Sequence, residues 1–324
     1  MILAGDVGGT KTLLGLFERS PHRPTCTAVR SFPTAQFGNL GDIISAFLGA
    51  EGGSADRLEG ACFGVAGPVV EGRAVLTNVG WAVVDADLRR GLGLDRVRVL
   101  NDLEATAWSI PVLTPQELET LQDGEPTPHG NLAVIAAGTG LGMAIVLRQG
   151  ETYQPIASEG GHADFAPATE REMALLESLN VGGGRVQWED IVSGRGLVTL
   201  HRFTHTRPCA AVTTDLDAEI APAAISAAAL AHRCAACVEA LDLFASAYGS
   251  AAGNLALTAV ATGGLYVGGG IAPKVLSVLQ GGRFMTGFTD RRRMRALLDG
   301  IPVRVILAPE AGLLGAATAA LHST

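Results

Sequence analysis

The residues best suited to chemistry in this 324-residue chain lie in three glycine-rich turns and two pairs of polar side chains. Asp6-Val7-Gly8-Gly9-Thr10-Lys11 follows one short apolar run, and Gly138-Thr139-Gly140-Leu141-Gly142 follows another. Glycines let backbone N–H groups point one way, and such a nest of amides holds a phosphate without basic side chains. Asp6, where the first run ends, is placed to hold a hydrated magnesium ion beside that phosphate. The same residues also fit an ordinary glycine hairpin capped by aspartate. A third cluster, Gly263 to Ile271, leads into a helix with Pro273 in its first turn, and its small residues admit a flat purine or sugar ring. Three such turns in one chain favour a nucleotide site over coincidence.

Asn101-Asp102 stands where a strand, Val97 to Leu100, gives way to a helix. Ligands of open α/β sheets gather at the carboxyl ends of strands, so Asp102 is placed to take a proton from a substrate hydroxyl. A plain helix N-cap accounts for the same pair. Glu159-Gly160-Gly161-His162 resists a helix, since two adjacent glycines cost about 2 kcal/mol relative to alanine. It reads as a loop presenting a carboxylate and an imidazole together, a donor and acceptor set suited to a hydroxyl-rich ligand. Glu189 opens a helical segment after Gly182-Gly183-Gly184 and is uninformative as a single residue.

Alternating strands and helices must position these groups. Ile2 to Gly5, Thr12 to Phe17 and Thr25 to Phe32 read as an antiparallel meander at a sheet edge. A helix over Leu40 to Leu48, strands at Gly60 to Val65 and around Ala74, a helix near Asp85 to Gly91, the strand Val97 to Leu100 and a helix from about Glu104 follow, as in a parallel α/β sheet. The polar stretch Thr114 to Gly130, with Pro115, Pro126 and Pro128, reads as a crossover between domains. Leu132 to Ala137, the glycine turn and Met143 to Leu147 then repeat the pattern of residues 2 to 17, which suggests two related halves. Ala168 to Tyr248 reads as mostly helical, with a strand at Leu265 to Val267, a last strand at Val303 to Leu307 and an apolar helix, Ala311 to Leu321, packing back on the first domain.

Composition narrows the function. Glycine is 42 of 324 residues, about 13% against a usual ~7%, with no Gly-X-Y period, so the excess lies in turns and close approaches. Twenty-four basic against 32 acidic residues, a net charge of −8, argues against nucleic acid as a partner. No basic and apolar leader opens the chain, five scattered cysteines suit a reducing cytoplasm, and the uncharged run between Asp242 and Lys274 holds seven glycines, so it reads as a buried helix and strand rather than a membrane span. With Lys11 and Lys274 as its only lysines the chain has no Gly-Lys-[Ser/Thr] P-loop, and it has no Gly-x-Gly-x-x-Gly fingerprint and no His-Glu-x-x-His. Cys234-x-x-Cys237 lacks a second ligand pair at zinc-like spacing and reads as helix core.

In their order along the chain, Asp6-Val7-Gly8-Gly9-Thr10, Asn101-Asp102, Gly138-Thr139-Gly140, Glu159-Gly160-Gly161-His162 and Gly268-Gly269-Gly270-Ile271 resemble the bacterial glucokinases, of the sugar kinase, heat-shock-protein-70 and actin superfamily. The resemblance extends to Gly64-Val65-Ala66-Gly67-Pro68, Leu76-Thr77-Asn78-Val79-Gly80-Trp81, Val192 to Leu197 and Glu310 to Ala317. It implies a two-domain α/β fold of the actin-like ATPase, ribonuclease-H-like type with an interdomain cleft, the small domain comprising residues 1–112 plus 303–324 and the large one 113–302. It implies ATP and Mg2+ as cofactors, glucose as substrate and a cytoplasmic homodimer. By this likeness Asp102 is the catalytic base for the sugar 6-hydroxyl, while Asn101, Glu159, His162, Glu189 and the Gly140 backbone hold the sugar. Gly5, Asp6, Val7, Gly8, Gly9, Thr10 and Lys11 bracket the phosphates with Gly138 and Thr139, Asp6 serves the metal, and Gly268 and Gly269 lie by the adenosine.

Two departures stand out. Lys11 replaces the Asn usual in these glucokinases and is more typical of the related repressor, open-reading-frame and kinase family. That family often carries a cysteine-rich zinc motif after its Glu-x-Gly-His, whereas here Ala163 to Pro167 follow, so no structural zinc is expected there. A kinase for mannose, fructose or an N-acetylhexosamine, a polyphosphate-using glucokinase and a non-catalytic sugar-sensing regulator are the alternatives. Asp6 stands too near Met1 for a preceding DNA-binding domain, and a sensor could dispense with Asp102 and the phosphate turns, so an enzyme is expected.

Overall fold

The computed structural model describes residues 1–51, 57–76 and 79–322, so Thr77 and Asn78 of the Leu76 to Trp81 motif lie outside the described residues. Two compact units form, one from Met1–Pro115, Tyr153–Ala157 and Ala308–Thr324, the other from Gln116–Thr152 and Ser158–Leu307.

In the first unit, strands β1 (Ile2–Val7), β2 (Lys11–Glu18) and β3 (Thr25–Pro33) form the expected antiparallel meander. Helix α1 (Leu40–Ala50), capped by Asn39, leads to β4 (Gly60–Val65). The small three-stranded sheet of β5 (Val69–Val70), β6 (Arg73–Leu76) and β7 (Trp81–Val84) follows, then α2 (Asp85–Leu92), β8 (Val97–Asn101) and α3 (Asp102–Ser109). The main sheet runs β3-β2-β1-β4-β8, with β1, β4 and β8 parallel. Side-chain alternation divides it between two cores, because successive residues of a strand face opposite sides. Leu3, Phe63, Val97 and Val99 pack with α1, Trp81 and Val83. Ile2, Ala4, Cys62 and Leu100 pack on the other face against α3 and the C-terminal helix.

The second unit starts with β9 (Leu118–Gln122), inside the stretch that the prolines had suggested was only a crossover. Its mostly half-buried residues combine leucines with polar side chains, and it is held as an edge strand by antiparallel pairing and by Gln122, whose Nε2 donates to Leu298 O at 2.8 Å and Ile301 O at 2.7 Å. Strands β10 (Leu132–Ala137), β11 (Leu141–Gln149) and β12 (Thr152–Ser158) follow, β12 with Tyr153–Ala157 assigned to the first unit, then helices α4 (Glu170–Leu179), α5 (Gly194–Thr204), α6 (Ala221–Leu230) and α7 (Ala235–Ala259). β12 is a second strand the sequence pattern did not show. The chain continues through β13 (Gly264–Gly268), α8 (Leu276–Gln280), α9 (Arg283–Thr289), α10 (Arg295–Asp299) and β14 (Val303–Ile306), and closes with α11 (Ala311–Leu321) in the first unit. β14 pairs with β13 and β9, so the last strand is part of the second unit's sheet.

The two sheets repeat one plan. β10 pairs antiparallel with β11 and parallel with β13, which pairs parallel with β14, as β1 pairs with β2 and β4, and β4 with β8. The long apolar α7 is buried in the second core by close approach to α9, where Gly253 leaves no room for a Cβ, which would stand 2.5 Å from Phe288 O. Among the described residues no single helix is long and apolar enough to cross a membrane.

α11 is pressed equally hard onto α3, since a Cβ at Gly315 would overlap the Ala105 carbonyl oxygen. Gly315→Ala is therefore expected to cost about 1–3 kcal/mol in urea unfolding, the usual range for overpacking. Gly91→Ala is the contrast: nothing lies within 4 Å of its Cβ position in α2, and it should be neutral or gain up to about 1 kcal/mol.

Candidate active site

In the first unit the polar residues singled out above collect at the carboxyl ends of adjacent parallel strands. Register pairs Asp6 of β1 with Gly64 of β4, and Val65 of β4 with Asn101 of β8. Chain direction alone thus brings Asp6 and the Asn101-Asp102 pair to one edge of the sheet.

The turn after β1 is braced from below. Gly8 N–H donates to Lys11 O at 3.0 Å, the Thr34 hydroxyl donates to Gly8 O at 2.8 Å, and Thr34 N–H donates to Thr10 O at 3.0 Å. Thr12 and Thr34, both fully buried, share a 2.9 Å hydroxyl contact. Sequence reading missed this pair, because Thr34 is distant along the chain and a buried hydroxyl leaves no local pattern. Beside the turn, Asp6 faces the start of α11, where a Cβ at Gly312 would stand 3.1 Å from Asp6 Oδ2. Burial raises the Asp6 carboxyl above its ordinary range, and the nearby Lys11 charge offsets this in part.

Asn101 is the N-cap of α3: its Oδ1 accepts from Leu103 N–H at 2.9 Å and Glu104 N–H at 3.3 Å. Its Nδ2 donates to Gly67 O at 3.0 Å, so the cap also tethers the loop after β4. The helix consequently begins at Asp102, a half-turn earlier than the apolar pattern suggested. Asp102 is half-buried, with Leu103 N–H 2.9 Å from its Oδ1. Gly64 makes this position possible, because a Cβ there would lie 2.7 Å from Ala105 Cβ. Burial also raises the Glu104 carboxyl, against the lowering pull of Arg98 3.7 Å away.

The second unit gathers its own set. Gly138 follows β10 and Gly268 ends β13, and the register pairs Ala136 with Gly268. Gly269 has φ +84° and its Cβ would overlap Ala137 O, so both conformation and space demand glycine there. Gly8, Gly138 and Gly140 lie outside the left-handed region. At Gly140 the demand is purely spatial: a Cβ would stand 2.5 Å from Glu189 Oε2. Beneath the two turns the buried Tyr248 hydroxyl accepts from Ala137 N–H at 3.1 Å and lies 3.3 Å from both Ile135 O and Gly268 O. Burial holds that phenol protonated, and no sequence motif pointed to it.

Glu189, which looked uninformative, is the centre of this set. Its Oε2 accepts from Leu141 N–H at 2.9 Å, its own N–H donates to Gly161 O at 2.9 Å, and its carbonyl accepts from the Ser193 hydroxyl at 2.8 Å. Arg195 lies 3.3 Å from Oε1. Gly160 to His162 form a single 3-10 turn rather than an open loop, held by the missing Gly161 Cβ against Leu141 O. That turn exposes Glu159 and His162 with Oε2 and Nε2 3.9 Å apart, and His162 Nδ1 is oriented by Gln187 Oε1 at 2.8 Å.

The structure thus assembles Asp6, the Gly8 turn and Asn101-Asp102 within one unit, and Gly138 to Gly140, Glu159, His162, Glu189 and Gly268-Gly269 within the other. The first set gathers two aspartates, an asparagine and a glycine turn where parallel strands end, and the second gathers two glutamates and a histidine beside two glycine turns.

Known proteins resemble this chain over its full length. A glucokinase from Nostoc punctiforme is 41% identical, covering 99% of this chain and 98% of its own length. The crystal structure of a glucokinase from an Antarctic psychrotroph superposes with a TM-score of 0.86 at 30% identity, covering 99% of both chains. A ROK family glucokinase from Streptomyces griseus, solved with glucose and AMPPNP, gives a TM-score of 0.62 at 25% identity, covering 98% of this chain and 97% of its own. The fold is accordingly the two-domain actin-like ATPase fold of sugar kinases. The sequence profile of the glucokinase family matches residues 3–323, and the chain belongs to that family.

Proposed function

We propose that this chain transfers the γ-phosphoryl group of ATP to the 6-hydroxyl of D-glucose, releasing ADP and glucose 6-phosphate, with Asp102 as the base. The observation that carries the reading is the placement of Asp102 at the start of α3 and of Asp6 near the end of β1, both at the carboxyl edge of three neighbouring parallel strands. Full-length similarity to glucokinases supports it, as does the glucose and AMPPNP bound by the Streptomyces griseus enzyme.

In this reading Asp102 accepts the proton of the 6-hydroxyl as its oxygen attacks phosphorus, a new P–O bond forms, and the bond to the ADP oxygen breaks. Phosphoryl transfer depends mostly on positioning and charge stabilisation, which the fixed backbone supplies. Gly5, Val7, Gly8, Gly9, Thr10, Lys11, Gly138 and Thr139 bracket the phosphates, and Gly268 and Gly269 face the adenosine. Glu159, His162 and Glu189 hold sugar hydroxyls, with the Gly140 backbone beside them. Asn101 has its oxygen committed to the helix cap, so it offers sugar only the remaining Nδ2 hydrogen. Glu189 accepts one backbone N–H and keeps lone pairs for a hydroxyl.

Asp6 fits Mg2+, because a carboxylate whose ionisation is opposed by burial gains most from a divalent cation beside it. When bound, the cation neutralises charge on the ATP phosphates. The reading further includes a homodimer, as the family resemblance implies, and a cytoplasmic location, which the odd, unpaired set of cysteines suits.

Asp102→Ala should lower kcat by about 10²-fold or more in a coupled ADP-release assay, with the glucose KM changing less. Glucose should be the best substrate in a panel with mannose, fructose and N-acetylglucosamine. A turnover near wild type in the variant removes Asp102 from the base role. Asp6 sets a pH dependence. Its raised folded pKa means the native state holds the proton more tightly than the unfolded chain, so ligand-free stability falls as pH rises from the ordinary value of about 3.9 through the folded one. Asp6→Asn, though inactive with Mg-ATP, should resist urea better than wild type at pH 7, the gap closing below pH 4. Sedimentation at micromolar concentration should show a dimer, and a monomer alone would remove that part of the reading.

A further inference from the structure

The end of α5 and the start of α7 bring together side chains that the kinase chemistry does not use. His201 lies in the last turns of α5 and His205 caps that helix, Cys209 follows in the loop, Cys234 is the N-cap of α7, and Cys237 lies in its first turn. Donor atoms of His201, His205, Cys209 and Cys237 all fall within 4.8 Å of one another. Cys209 and Cys237 sulfurs are 3.8 Å apart, and His205 Nε2 lies 3.3 Å from Cys234 Sγ and 3.8 Å from Cys237 Sγ.

Three of these separations match edges of a metal tetrahedron. With Zn–S about 2.3 Å and Zn–N about 2.0–2.1 Å, ligand sulfurs stand ~3.8 Å apart and a sulfur and a nitrogen ~3.6 Å apart. The one sulfur pair matches, and the two sulfur-to-nitrogen distances bracket the expected value. His205 is also prepared as a ligand: its Nδ1 donates to His201 O at 2.8 Å, which leaves the Nε2 lone pair facing the sulfurs. A backbone carbonyl on the far ring nitrogen is the usual way a ligand histidine is oriented. The His201 ring stacks on His205 with centroids 3.8 Å apart, and both of its nitrogens are buried without a hydrogen-bond partner, so a polar ring has been kept beside the sulfurs in an otherwise apolar core.

We propose that Cys209, Cys234, Cys237 and His205 form a Cys3His binding site for a zinc-class divalent cation, with His201 packed behind the His205 ring. Binding forms three Zn–S bonds and one Zn–N bond and releases the protons of whichever of the three thiols are still protonated. This site is separate in sequence from the position after His162, where the expectation of no zinc concerned Ala163 to Pro167. Its metal would join the end of α5, the loop at Cys209 and the start of α7, with α6 inside the closed segment.

The test is metal content and spectroscopy of the whole chain purified under reducing conditions without chelator. One zinc per chain by elemental analysis is expected, and replacement by Co2+ should produce thiolate charge-transfer and tetrahedral d–d bands that Zn2+ abolishes. Cys234→Ser keeps a good helix N-cap and should fold normally by circular dichroism. It should nevertheless weaken zinc binding at least ~100-fold, since even an outer-shell change costs ~10–100-fold. His201→Phe should keep the metal. A wild-type chain with reduced thiols that takes up neither zinc nor cobalt overturns the proposal. So does a chain that only forms a disulfide, read as a mass loss of two hydrogens, and so does a folded Cys234→Ser with unchanged zinc affinity.

Discussion

One hydrogen bond, from Leu141 N–H to the Glu189 carboxylate, fixes the working edge of the second unit. A Cβ at Gly140 would crowd that carboxylate, and Glu189 draws the β10–β11 turn, the Glu159 to His162 turn and the cap of α5 around a single residue. A half-buried carboxylate must be satisfied or it destabilises the fold. Here the partners that satisfy it are the backbone amide of the turn and an arginine at its rim, so stabilising Glu189 and shaping the site are the same act.

The first unit reaches a comparable result with a neutral group. Asn101 satisfies two free N–H groups of α3 and one loop carbonyl, and Asp102 is thereby carried on a helix start instead of a mobile loop. In both units the chemistry sits on backbone that is held by side chains outside it: Thr12 and Thr34 under one turn, Tyr248 under the other. The shared strand plan of the two sheets explains why the polar groups arrive at corresponding edges.

Local patterns made much of this legible. The meander, the two glycine hairpins and the strand-to-helix junction at Asn101 are encoded within a few residues of where they act. Edge strands β9 and β12 were not, because half-buried strands carry mixed polar residues and the prolines near β9 imitate a linker. Glu189, Tyr248 and Thr34 were invisible for another reason: their partners are remote in sequence, and a lone Glu, Tyr or Thr has no spacing to read. The cysteine pair 234 and 237 read as plain helix core because His205 and Cys209 meet it only through the turn of the chain between α5 and α7.

The packing of α11 has a consequence for synthesis. Leu313, Leu314, Ala316 and Ala317 complete the core that Ile2, Ala4 and Cys62 begin, yet they leave the ribosome after every residue of the second unit. One face of the first sheet therefore stays only partly covered, by α3, during translation, while residues 116–307 already hold the strands and helices that build the second unit's core. That face of the first strands reaches its final burial last, although α1, Trp81 and Val83 already cover the other.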